Sequence, residues 1–130
     1  MAAAVFSHRL SAQETAVESA GIAALVGAPA DPLAIALMQE RGIDLSGHRA
    51  RQLTPQIAGA SELILVMEEG HVRAVERIFP PARGRVHRLG RFGAFDVADP
   101  YGQQRPAFES SLSLIERGIE DFLKAFWNRQ

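Results

Sequence analysis

The chain has 130 residues, the length of one domain, and its 47% hydrophobic and 22% charged content is an ordinary globular mixture that excludes disorder and low-complexity architectures. Fourteen Lys and Arg against fifteen Asp and Glu leave a net charge of −1, so no positive field points to nucleic acid or an anionic membrane. The absence of cysteine removes disulfides, thiolate metal sites and thiol nucleophiles from these residues together.

In chain order, Ala2–Leu10 is compatible with a helix that starts abruptly, with no capping residue before it. Ala16–Ala20 reads as a short strand ending at Gly21. Asp31-Pro32 pairs an N-cap with a first-turn proline and Gly42 supplies a left-handed stop, which predicts a helix over Pro32–Arg41 and then a loop over Gly42–Arg51. Thr54-Pro55 repeats the start signal for a short helix. The apolar run Leu63–Met67 predicts a strand covered on both faces, as in a parallel sheet. Val72, Val75, Ile78 and Phe79 follow at helical spacing and stop at Pro80-Pro81, and Arg85–Leu89 reads as a third strand. After Pro106, residues Phe108, Leu112, Ile115, Ile119, Phe122 and Phe126 fall on one face of a long closing helix.

This alternation implies an α/β layered fold with a parallel sheet, whose sites lie at the carboxyl ends of strands, in the loops after Ser19, Met67 and Leu89. The apolar runs are far shorter than the ~18 residues of a membrane helix, and the first ten residues lack signal-peptide character, so the chain reads as cytoplasmic. The four histidines show no paired metal-ligand spacing, and Glu68-Glu69-Gly70-His71 reads as a helix start. Arg83, Arg85, Arg88 and Arg91 form a basic stretch best read as a solvated strand edge.

Asp99-Pro100-Tyr101-Gly102 presents a carboxylate and a phenol on one tight turn, because the proline holds Asp99 extended. Such a carboxylate suits a general acid, although Asp-Pro turns are common in loops without one. The loop Gly42–Arg51 gathers donors, an acid and an imidazole, either as a brace beneath a site or as a solvated connection.

Taken together and in this order, Ser19-Ala20-Gly21, Ala30-Asp31-Pro32, Gly42–Ser46 with His48–Leu53, Leu63–Glu68 and Asp99-Pro100-Tyr101-Gly102 resemble the low-molecular-weight protein tyrosine phosphatases over essentially the whole chain. The resemblance implies a three-layer α/β/α fold with a short parallel sheet of order 2-1-3-4. It also implies a Cys-x5-Arg-Ser-Pro loop whose backbone amides hold the phosphate while the thiolate attacks phosphorus. Met1-Ala2-Ala3-Ala4-Val5-Phe6 is similar to the segment that follows Ser-Pro, so residues 1–130 are expected to form one N-terminally truncated domain lacking that loop and the first, central strand.

On this resemblance Asp99 is the general acid, Tyr101 and Leu25 line the substrate rim, and Ser19 and His48 brace the phosphate loop. No metal or cofactor is implied. The implied partner is a phosphotyrosine protein, such as a bacterial tyrosine autokinase of exopolysaccharide production. Two functional readings stay open: a tyrosine phosphatase whose nucleophile lies outside these residues, and a non-catalytic pseudophosphatase or partner-binding module. Arsenate reduction on the same fold would need several thiols, and these residues contain none. A missing central strand also predicts an open slot beside Leu63–Met67 and a marginally stable chain.

Overall fold

The computed structural model describes residues 1–10 and 15–127. Five α-helices are present among them: α1 (Ala2–Arg9), α2 (Pro32–Glu40), α3 (Pro55–Gly59), α4 (Glu69–Ile78) and α5 (Arg105–Phe122). Their local causes follow the sequence signals. The Asp31 carboxylate accepts from the Leu33 amide at 2.8 Å, Gly42 ends α2 at φ 73°, and the Thr54 hydroxyl accepts from the Ile57 amide at 3.2 Å.

Strands β1 (Ile64–Val66) and β2 (Val86–Arg88) pair in parallel, with Ile64 opposite Val86 and Val66 opposite Arg88, and α4 forms the crossover between them. The two-residue period of β1 sends its side chains to opposite layers. Leu63, Leu65 and Met67 pack on the main core, which α1, α2 and α5 build from Phe6, Leu37, Met38, Leu112, Ile119 and Phe122. Ile64 and Val66 face a smaller core with Val75, Ala82 and Val86. The sheet is thus covered on both faces, giving the expected three-layer α/β/α arrangement.

Three expectations need correction. Ala16–Ala20 is not a strand: it is irregular and mostly exposed, and its backbone finds no ladder partner among the described residues. The runs Leu63–Met67 and Arg85–Leu89 pair over three residues each rather than five, and beyond them the Met67 carbonyl accepts from the Val97 amide at 2.8 Å. Phe126 does not continue the buried stripe. The helix widens into a π turn over Leu123–Trp127, which turns Leu123 inward and leaves Phe126 47% exposed.

Candidate active site

The carboxyl ends of the strand-forming segments open onto one cavity of about 470 Å³. Ser19, Ala20, His48, Met67, Glu68, His71, Asp99 and Tyr101 all line it, so four of the five residues singled out from sequence converge. Three helices begin here as well: α1 contributes Ala2 and Ala3, α2 its cap Asp31, and α4 its cap Glu68. The positive ends of helix dipoles therefore meet at the cavity, a field that favours an anion. Asp31 and Glu68 supply acids at two of these ends, while α1 has no side-chain cap. The Met1 amine lines the same space, and burial lowers its pKa.

Asp99 is exposed at the mouth. Its Oδ1 accepts from the Tyr101 amide at 3.0 Å, which closes the turn that proline opened and fixes the carboxylate against the turn backbone. Tyr101 stands 74% exposed at the rim. The turn is anchored from below, where the buried Ser111 hydroxyl donates to the Ala98 carbonyl at 2.8 Å. Ser111 was missed from sequence, although a serine three residues after Phe108 on the inward stripe of a helix is a visible signal.

Ser19 and His48 reach the cavity with the serine hydroxyl and the imidazole free of hydrogen bonds to the described residues. The backbone around them is held instead. Arg51 Nε donates to the Ser19 carbonyl at 2.8 Å and its guanidinium pairs with Glu18 at 3.2 Å.

Leu25 does not line the cavity. It lies 73% exposed beside Val26 on a loop that residues 50–53 hold by backbone bonds at Gly21, Gly27 and Ala28. Gln52 adds a side-chain clamp, accepting from the Ala24 amide at 3.0 Å and donating to the Ile22 carbonyl at 2.5 Å. Nothing in the local sequence distinguishes this carboxamide, because its partners lie about thirty residues away. On the far side, the His71 Nδ1 accepts from the Glu68 amide at 3.3 Å. Arg88 joins Asp96 at 3.0 Å and Glu69 at 3.7 Å, so this one arginine of the basic stretch finds its acids in other segments.

The family model for low molecular weight phosphotyrosine protein phosphatase matches residues 1–130. The chain belongs to this family. Among curated relatives, the "Probable low molecular weight protein-tyrosine-phosphatase EpsP" of Ralstonia nicotianae is 46% identical over 112 residues, which are 86% of this chain and 77% of that protein. The low molecular weight protein-tyrosine-phosphatase Wzb of Escherichia coli K12 is 37% identical over 113 residues, again 86% of this chain and 77% of that protein. Among solved structures, Vibrio vulnificus Wzb in complex with benzylphosphonate superposes with a TM-score of 0.90 at 37% identity, covering 96% of this chain and 88% of that one. The Erwinia amylovora tyrosine phosphatase AmsI gives a TM-score of 0.90 at 34% identity, covering 98% and 83%. The layered α/β/α arrangement described above is therefore the phosphatase fold, and the cavity lies at the carboxyl ends of its strands.

Proposed function

We propose that this cavity handles the phosphotyrosine of a protein substrate and that residues 1–130 supply the acid half of the phosphatase reaction. The observation that carries this is the convergence of Asp99, Tyr101, Ser19 and His48 on one cavity onto which three helices open. A phosphoryl group seated there lies in the positive field of the helix ends, and Tyr101 offers a ring against the aryl group. Asp99 is placed at the mouth to protonate the leaving phenolate, and later to take a proton from the attacking water. Ser19 and His48 have free hydrogen-bonding groups with which to brace an anion-binding loop. Benzylphosphonate, an arylmethyl phosphonate, is bound by the similar Vibrio vulnificus Wzb, which supports an aryl phosphate as ligand chemistry.

The attack on phosphorus needs a thiolate, and the 130 residues contain no cysteine. These residues alone therefore lack the first chemical step. The substrate we assign is a tyrosine-phosphorylated protein of the bacterial exopolysaccharide systems, with a tyrosine autokinase as the specific partner and the cytoplasm as the location. The test is hydrolysis of p-nitrophenyl phosphate by the 130-residue chain. The expected rate equals that of buffer, because an acid has no leaving group to assist until attack begins. Turnover that survives purification and is lost in Asp99→Asn would refute the division of labour.

A further inference from the structure

At the third position of a helix a Glu or Gln side chain ordinarily reaches back to the amide of the capping residue. In α4 that position holds His71. Its Nδ1 accepts from the Glu68 amide at 3.3 Å, and its own amide donates to the Glu68 carbonyl at 3.0 Å. A backbone N–H only donates, so Nδ1 presents a lone pair and the neutral ring carries its proton on Nε2. An imidazole, unlike a Glu or Gln oxygen, loses this acceptor by taking up a proton close to neutral pH.

The turn capped in this way is the anchor of the segment that leads to Asp99. The Glu69 amide donates to Asp96 Oδ1 at 3.1 Å, Arg88 donates to the same oxygen at 3.0 Å, and the Val97 amide donates to the Met67 carbonyl at 2.8 Å. Residues 67–69 and 96–97 are therefore tied together immediately ahead of Asp99, and Val97 is buried. His71 and Asp99 wall the same cavity.

We propose that His71 is a positioning residue for Asp99, a latch that is closed while its imidazole is neutral and released when it is protonated. Protonation fills the Nδ1 lone pair, leaves the Glu68 amide without its acceptor and sets a positive charge at the positive end of α4. The groups around the ring are Glu68 and Glu69 on its own helix, Asp96 and Asp99 on the acid segment and Arg88 on β2, with Asp31, His48 and the Met1 amine across the cavity. The carboxylates attract an imidazolium but cannot restore the acceptor. Asp96 stays ionised throughout, because its bonds to Arg88 first and to the Glu69 amide next hold its carboxyl below the usual range. The bearing of the latch on catalysis rests on the reading of Asp99 as the acid, whereas the latch itself rests on backbone bonds. It is therefore tested without substrate.

The test uses the isotope-labelled full chain, read by NMR as imidazole nitrogen shifts and as amide protection factors, which correct for the intrinsic pH dependence of exchange. At about pH 7.5 the His71 Nδ1 should show the shift of an unprotonated ring nitrogen. Between about pH 7.5 and about pH 5.5, protection at Glu68, Glu69 and Val97 should fall together as the His71 nitrogens titrate, by about fivefold, the scale of a lost helix cap. In His71→Gln, whose side chain accepts at the same position without titrating, protection at the three amides should stay level over that range. Unchanged protection in the parent while the ring titrates would overturn the proposal, as would a fall at Glu68 that leaves Val97 untouched. An equal fall in His71→Gln would assign the effect to another group and overturn it too. A protonated Nδ1 at the upper pH would remove the cap itself. Loss of the Asp99 role in hydrolysis, with the latch intact, would instead count against the phosphatase reading alone.

Discussion

Replacing Gly118 by alanine isolates the contact that sets α5 against the end of β2. A glycine inside an eighteen-residue helix costs about 1 kcal/mol relative to alanine, so on propensity alone Gly118→Ala should stabilise the chain. The structure reverses this. A β-carbon at Gly118 would meet Leu89 Cγ and the Leu89 carbonyl oxygen, each at 2.8 Å. Leu89 is 1% exposed and its backbone follows directly from β2, so neither atom can move aside without shifting the sheet or the helix. Overpacking of this kind costs about 1 to 3 kcal/mol, which outweighs the propensity gain at the upper end and leaves a net loss of up to about 2 kcal/mol. For a chain of this size that lowers the midpoint by up to roughly 8 °C, measurable by calorimetry or by circular dichroism on heating. Gly118→Val should lose more. A Gly118→Ala midpoint several degrees above that of the parent would refute the packing argument, since it would mean the position behaves as an open helix surface.

Two further substitutions probe the supports of the site. Ser111→Ala removes the hydroxyl under the Asp99 turn and should cost about 1 kcal/mol while speeding amide exchange across 98–101; unchanged exchange there would show the turn stands without it. Asp96 accepts from Arg88 at 3.0 Å and from the Glu69 amide at 3.1 Å, and these bonds, Arg88 first, hold its carboxyl below the usual carboxylate range. A depressed folded pKa gives stability that is present above the unfolded carboxylate value of about 4 and is lost as pH falls through the folded one. The stability gap between parent and Asp96→Asn should therefore be constant near neutrality and close in acid, and a gap independent of pH down to acid unfolding would contradict the assignment.

The helices were legible because their signals are local: a cap, a proline, a glycine stop and a stripe are each complete within a few residues. Asp31, Thr54 and Gly42 act as their spacing implies. The layer order was legible from Leu63–Met67, whose continuous apolar character requires cover on both faces. Strand extent was not, because a strand is completed by a partner elsewhere in the chain. Ala16–Ala20 has the composition of a strand but no neighbour to pair with among the described residues, where it is irregular. At the site, Asp99 and Tyr101 share one turn that the sequence spells out. Gln52, which clamps a loop about thirty residues away, and the meeting of Ser19 with His48 exist only once the chain is folded. Leu25 shows the converse: its place on the loop was legible, but its outward direction was not.

The central claim is that Asp99 is the acid of a phosphatase site built by these residues. The most direct measurement places the first strand and its Cys-x5-Arg-Ser-Pro loop ahead of Met1 and compares Asp99 with Asp99→Ala on aryl phosphates of increasing leaving-group pKa. For the poorest leaving groups the substitution should cost roughly two to four orders of magnitude, or about 2.7 to 5.4 kcal/mol in the barrier, and the loss should shrink as the leaving group improves. Equal rates for the two proteins on the poorest leaving group would remove Asp99 from the reaction.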